Sequence, residues 1–542
     1  MKTGPTVQPA SHVKAIPWII ALVVAVAFGR VLNNGAAPVD DGIVIFLNPR
    51  FNPPRWTDDS VLWYWKHADP HLYIPLSYMA IAVLAKCSYV PDADQAAVHL
   101  DVRLFHAASL LLHIANTLLA YAIIKRLLRQ PVAAAIGALF YGLHPLQVEA
   151  VSWVTGIRDL LCATVSLASI LLYLAAVDPR QRQSSARKRR ICYISGLILI
   201  PIGMLFKPTA ITAPLIAAVI DRMILRPSTR QVARSIGPYL LAALPLVIVT
   251  KLVQPHVGLE PTPLWQRPVL IGATVAFYLG KLSWPTRLAY DYAWRPQIML
   301  QKAWFWWISL VPVILGIILW MTRRKSMWII ASLAVLLCGL LPVLGFVSFP
   351  FQNYSTVADH YILPAMLGPA IAVAWIASRF QATLTYYLTI SAVLLILTML
   401  TVIQLGRWHT EADIARQMVA VAPTGAPGHG ILGEVFAAQD NWKIAEQEFL
   451  IAQKLRPDLT VATDSLARMY ADQHRTTDAI SELRILASIF HDNPQEMKNL
   501  NHLAELFATL ADRRGAKADA DLYRKLARQL STSSTTEPTT GP

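Results

Sequence analysis

Two adjacent carboxylates, Asp40 and Asp41, stand in Val39-Asp40-Asp41-Gly42-Ile43, just after the first apolar run and shortly before Asn48-Pro49. A carboxylate where a membrane span ends can act as a general base toward a hydroxyl. It can equally be a solvated loop acid that holds the chain outside the bilayer. Ionisable side chains recur at the ends of later apolar runs. His144, Glu149, Arg158 and Asp159 lie within HPLQVEAVSWVTGIRD, and Lys207 stands alone in FKPT. A long segment carries Lys281, Arg287, Tyr290, Asp291, Tyr292 and Arg295, and Asp359, His360 and Tyr361 lead VADHYILP. Charges beside a bilayer are costly unless they pair or face a wet cavity. A lone outward lysine such as Lys207 suits an anionic group such as a phosphate. Plainer roles stand beside these: His144 and His360 as helix caps, Glu149 with Arg158 as a structural ion pair, and the tyrosines as interface anchors.

The elements that must position these residues are membrane helices. Of 542 residues 55% are hydrophobic and only 15% charged, and mean hydropathy is +0.43. A soluble chain would carry about a quarter charged residues, so the composition indicates a polytopic membrane protein. The net charge of +15 is unevenly spread: residues 1–406 hold 33 Lys+Arg against 15 Asp+Glu, and 407–542 hold 15 against 18. The basic excess belongs to the membrane part, where it sets orientation, and nucleic acid is not an expected partner. Cys87, Cys162, Cys192 and Cys338 are scattered without metal-ligand spacing, which points to structural burial.

The first run, Ile16 to Val31, reads as a retained signal-anchor. Further runs lie near 101–127, 131–143, 160–177, 191–206, 209–225, 236–253, 303–322, 327–347, 361–378 and 384–406, giving about eleven spans. Basic clusters at Lys125/Arg126/Arg129, Arg180 to Arg190, Arg222 to Arg234 and Arg323/Arg324/Lys325 are cytoplasmic by the positive-inside rule. The intervening loops, Asp40 and Asp41 included, then face outward. The first outer loop is expected over about 34–100, with an interfacial helix at Leu72 to Leu84. A long outer loop is expected over about 254–302, with 266–284 as an embedded or interfacial helix.

From Arg407 the chain becomes water-soluble in pattern. Leu432-Gly433, Phe436, Ala445 and Phe449 recur 34 residues later as Leu466-Ala467, Tyr470, Ala479 and Leu483. Pro457 closes the first unit and Pro494 the second, displaced by three, and a looser unit starts at Leu503-Ala504 and Phe507. This is the tetratricopeptide period, giving a membrane domain over 1–406, a repeat domain over 407–530 and a disordered tail over 531–542.

The stretches VDDGIVIFLNP, HLYIPLSY, HPLQVEAVSWVTGIRDLL, FKPTAITAP, WPTRLAYDYAWRP and VADHYILPAM, followed by the repeats, resemble in their order the transmembrane O-mannosyltransferases with tetratricopeptide repeats and their bacterial relatives, in the GT-C class. The resemblance implies an all-α membrane glycosyltransferase fold with an exoplasmic site, a polyprenyl-phosphate sugar donor and a hydroxyl-bearing acceptor. The family's acidic pair maps onto Asp40, as base, and Asp41, in support. Lys207, Arg158, His360 and Arg295 are then expected on the donor phosphate, with His144, Glu149, Asp159, Tyr292, Asp359 and Tyr361 supporting. Pro208 stands where eukaryotic members tend to have Glu, as in bacterial relatives. His360 replaces a usual Arg, and a histidine is charged only part of the time near neutral pH.

The function this implies is transfer of a hexose such as mannose to exported proteins, by inverting displacement. The bacterial inner membrane is the expected location, with site and repeats on the periplasmic side. A divalent metal is optional. The same chemistry on a lipid or surface polysaccharide is the first alternative, and a non-enzymatic scaffold the second. A scaffold does not need acids and bases gathered on one side, and a transporter would place them mid-span.

Overall fold

The computed structural model describes residues 11–533 except 39, 55–56, 69–71, 91–98, 182–184, 226 and 254–261. Val39, the start of the long outer loop at 254–261 and tail residues 534–542 therefore lie outside the described residues. Among the described residues every regular element is helical. The chain divides into two compact units, Met1–Ile414 and Ala415–Pro542.

In the first unit, nine helices among the described residues are long and apolar enough to cross a membrane, and the chain is an integral multi-pass membrane protein. They are Lys14–Asn33, Val102–Leu128, Val154–Val177, Ala186–Phe206, Pro208–Leu225, Thr229–Val253, Ala303–Met321, Arg323–Val343 and Leu384–Gly406. A bent pair, Pro131–Leu143 with Pro145–Ser152, makes a tenth if taken as one span broken by 51°. The count is thus nine or ten by length, against about eleven expected.

Proline accounts for both differences. Pro145 cannot donate a backbone hydrogen bond and pushes the preceding residue out of helical geometry, and His144 is extended at φ −75°, ψ 131°. Around Pro364 the run expected at 361–378 starts as a 3-10 turn, Asp359–Ile362, and becomes regular only over Leu367–Ala377.

Small residues bring these broken elements close to their neighbours, as membrane helix packing requires. A Cβ on Gly137 would collide with the Ala370 carbonyl and Ala374, and one on Gly368 with the Ser332 carbonyl. The helix near 72–84 spans Pro75–Ser88, and the one near 266–284 spans Arg267–Ser283.

An apolar core fixes the first outer loop. Val44, Ile45, Phe46, Phe51 and Tyr64 from the loop pack with Tyr78, Ile81 and Ala85 of Pro75–Ser88, and with Phe105, Val154 and Ile157 of two spans. Phe46 and Phe105 meet edge-on at 5.9 Å between centroids. Each buried aromatic of this kind contributes roughly 1.5–3 kcal/mol, so the chain next to Asp40 is well held.

The second unit contains Ala426–Ala437, Trp442–Leu455, Thr460–Asp472, Thr476–Phe490, Pro494–Arg513 and Lys517–Ser533. The first helices of the three pairs begin 34 residues apart, at Ala426, Thr460 and Pro494, consistent with the sequence period. Pro494 opens the third pair at the first helical turn. Ala445, Phe449, Leu466, Ala467, Tyr470, Ala479 and Leu483 are buried in one core.

Candidate active site

The Val154–Gly156 turn leads into Ile157–Val177 straight after Trp153, which is extended at ψ 119°. The first N–H groups of such a segment have no helical partner, and the helix dipole favours an anion there. Asp41 supplies it. Its Oδ1 accepts from the Thr155 N–H at 2.8 Å, and its Oδ2 from the Val154 N–H at 3.2 Å and the Ala37 N–H at 2.7 Å. Asp41 is fully buried. Burial pushes its carboxyl up to about 6, against the three N–H groups that hold it down. Gly156 closes this turn because a Cβ there would sit 2.7 Å from the Ala150 carbonyl oxygen.

Asp40 differs sharply from its neighbour. Its side chain is 41% exposed, and its carboxylate lies 3.8 Å from the Arg158 guanidinium. Arg158 is nearly buried, donates through Nε to the Thr155 carbonyl at 3.0 Å and lies 5.9 Å from the Trp153 ring. Asp40 is therefore an accessible carboxylate beside a fixed cation, on a loop that Asp41 ties down.

Lys207 ends the Ala186–Phe206 helix in extended geometry, ahead of Pro208. Its ammonium lies 2.6 and 2.7 Å from the two oxygens of Asp159. Ser77 of the first outer loop donates to the Phe206 carbonyl at 2.7 Å, joining that loop to this corner. Lys207 is held in place by its partner, and much of its charge is already offset.

A third group is deeper. The His360 Nδ1 is hydrogen-bonded to Glu149, whose other oxygen accepts from the Asp359 N–H at 3.1 Å. The Tyr292 hydroxyl donates to Asp359 at 2.7 Å. Burial pushes Asp359 up to about 7, against Tyr292 and Lys281, and pushes His360 down to about 3. Asp159 is within electrostatic reach of His360 and Arg158, and Tyr290 of Asp40 and Glu149. The three groups thus lie within electrostatic reach of one another.

His144 has plainer surroundings. It is fully buried; its Nδ1 accepts from the Leu146 N–H and its Nε2 pairs with the Leu282 carbonyl, both at 3.3 Å. The Arg295 carbonyl accepts from the Met299 N–H at 2.9 Å, opening the Pro296–Met299 helix. Tyr361 packs edge-on against His360 at 4.3 Å.

The structure adds residues not singled out from sequence. Trp153 lies 5.3 Å from the His360 ring and 5.5 Å from Tyr290, and its buried indole N–H has no hydrogen-bond partner among the described residues. Tyr278, likewise not singled out, donates to the Ala358 carbonyl at 2.9 Å, while Lys281, already named from the sequence, donates to the Thr286 and Arg287 carbonyls. Aromatic and charged residues are common at span ends, and sequence carries no signal for which of them turn inward. Among the described residues no three His, Cys, Asp or Glu are grouped to hold a metal.

A multi-spanning helical membrane domain with acids and cations gathered at the ends of its helices defines the class, and the comparisons give the kinship. The family model for dolichyl-phosphate-mannose-protein mannosyltransferase matches residues 100–253. Protein O-mannosyl-transferase Tmtc2 of Drosophila melanogaster is 34% identical over 119 residues, 22% of this chain and 12% of that protein. Protein O-mannosyl-transferase TMTC4 of Homo sapiens is 22% identical over 374 residues, 58% of this chain and 48% of that protein. The chain thus spans 48% of TMTC4 and 12% of Tmtc2. The crystal structure of ArnT from Cupriavidus metallidurans bound to undecaprenyl phosphate aligns with a TM-score of 0.34 at 13% identity, over 97% of this chain and 77% of that one. Over these parts the chain is similar to the protein O-mannosyl-transferases of the TMTC type.

Proposed function

We propose that the protein is a membrane glycosyltransferase that moves a hexose, such as mannose, from a polyprenyl-phosphate carrier to hydroxyl groups of exported proteins. The observation that carries this reading is the division of labour in the acidic pair, with Asp40 accessible beside Arg158 and Asp41 buried on backbone N–H groups. Asp40 takes the proton of the acceptor hydroxyl as its oxygen bonds to the anomeric carbon. The bond from that carbon to the phosphate oxygen breaks from the opposite face, with inversion. The leaving polyprenyl phosphate gains a charge that Arg158 and, behind it, Lys207 offset. Arg158 is the nearer cation, since Asp159 already engages Lys207. Glu149, His360, Asp359 and Tyr292 hold the wall of the site.

The helix pairs of the second unit suit an extended peptide, and tethering on one chain raises its effective concentration for the reaction. A periplasm-facing site in a bacterial inner membrane is part of the proposal. The test compares intact masses of exported proteins from cells carrying the wild-type protein or Asp40→Asn. Hexose increments lost only in the variant, at equal membrane abundance, support the reading. Unchanged protein masses with altered lipids or polysaccharides would move the acceptor to those classes, and no change anywhere would leave the scaffold.

A further inference from the structure

The far ends of the same helices hold a second feature, independent of the reading above. Ile157–Val177 begins with Arg158 and Asp159 and is capped by Asp178, some 30 Å along the axis at about 1.5 Å per residue. That is about the thickness of a bilayer's hydrocarbon core. Near this end a cleft of about 670 Å³ opens, lined by Lys125, Arg126 and Arg129, with Leu118 and Leu171 as apolar walls.

Three observations point to a ligand. First, charge accumulates there. Asp178 lies 3.8 Å from Arg126 and is held by the Arg180 guanidinium through two contacts at 2.9 and 3.1 Å, and the cleft is lined by Lys125 and Arg129 besides Arg126. Arg129 adopts a left-handed backbone, φ 58°, at the helix C-cap, and sends one donor to the Arg180 carbonyl at 3.3 Å, one of the five a guanidinium carries. Second, Tyr121 lines the same cleft. It is only 4% exposed, and its hydroxyl has no hydrogen-bond partner among the described residues. A buried O–H without a partner is costly and calls for an acceptor. Third, the Lys125 ammonium stands 5.5 Å over the Tyr121 ring, placing a cation on the same ring.

We infer that this cleft binds an anionic glycerophospholipid, its phosphodiester held by Lys125, Arg129 and the Tyr121 hydroxyl and an acyl chain lying along Leu118 and Leu171. Apolar walls below a cationic rim match a lipid, whereas a free phosphate would use the rim and leave the walls uncovered. The volume is that of an ordinary ligand site. By the positive-inside rule this end faces the cytoplasm, where anionic headgroups attract lysine and arginine. The bound lipid belongs to the leaflet opposite Asp40 and bridges Val102–Leu128 and Ile157–Val177 without entering the chemistry.

The test uses the full chain in neutral detergent, following melting temperature during titration with dioleoyl phosphatidylglycerol, dioleoyl phosphatidylcholine or inorganic phosphate. Phosphatidylglycerol is expected to raise the melting temperature at concentrations at least about tenfold below those at which phosphatidylcholine acts, and inorganic phosphate to have no effect. Lys125→Gln/Arg129→Gln is expected to weaken the phosphatidylglycerol response roughly 30-fold. Tyr121→Phe, which removes only the hydroxyl, is expected to melt no lower than wild type without lipid and to need about fivefold more phosphatidylglycerol. Equal responses to both lipids overturn the proposal, as does a full phosphatidylglycerol response in Tyr121→Phe. If inorganic phosphate reproduces the shift, the site is for a free anion and the lipid assignment is wrong.

Discussion

The Asp41 carboxylate lies 2.8 Å from the backbone nitrogen of Thr155, 114 positions further along the chain. A first-loop acid thereby caps the segment that carries Arg158 and Asp159, and the loop holding Asp40 is fixed against the helix holding its cation. Asp41→Ala leaves three buried N–H groups without their acceptor, each costing about 1–3 kcal/mol. It should lower the melting temperature in detergent and the membrane level together. Asp40→Asn, at a half-exposed site, should change neither. Equal thermal losses in the two variants would mean that the pair does not divide its roles.

Arg158 is the fixed cation next to Asp40. Arg158→Gln removes the positive charge and should lower turnover roughly 100-fold, the usual scale for losing one charge-stabilising donor. Arg158→Lys should recover little, because a lysine lacks the planar fork that also holds the Thr155 carbonyl. Single-turnover rates with a polyprenyl-phosphate hexose check this, and a fully active lysine variant would show that charge alone suffices.

Lys207 and Asp159 test whether a buried pair can be structural and functional at once. Lys207→Met strands the Asp159 carboxylate and should cost about 3–5 kcal/mol. Adding Asp159→Asn should restore most of the stability and none of the activity. A double variant that regains turnover would remove Lys207 from the proposed chemistry.

Asp359 gives the pH dependence. Its folded-state carboxyl is raised from the usual 3.8 to about 7 by burial, so its contribution to stability is complete below about pH 4 and is lost as pH rises through 7. His360, lowered to about 3, contributes with the opposite sign, and the two partly cancel in the wild type. Asp359→Asn removes only the first. The melting temperature of the variant relative to wild type should therefore rise between pH 5 and pH 7.5. A flat difference would show that Asp359 is ionised throughout.

Much of this was legible in the sequence. Hydropathy shows the spans because lipid admits few charges, and the 34-residue recurrence of Leu432, Ala445 and Phe449 foreshadows helix pairs starting at Ala426, Thr460 and Pro494. The span count was less legible. Apolar composition cannot tell a crossing helix from one broken at Pro145 or shortened after Pro364, because the break depends on backbone geometry rather than hydropathy. In the site, Asp40, Asp41, Glu149, Asp159 and Lys207 were visible as charges in costly places. Their pairing was not. Asp41 on Thr155, Glu149 on His360 and Trp153 between His360 and Tyr290 join segments far apart in the chain, and no local pattern encodes such contacts. His144 shows the reverse case, a suggestive residue whose ring nitrogens meet two backbone groups.

The most direct test of the central claim is the rate at which purified protein releases polyprenyl phosphate from a polyprenyl-phosphate hexose in the presence of a hydroxyl-bearing acceptor peptide. Wild type and Asp40→Asn would be compared at equal melting temperature. The account predicts that the variant binds donor as wild type does and transfers sugar at least about 100-fold more slowly. Wild-type transfer by the variant would contradict it, because no proton would then need to pass to Asp40.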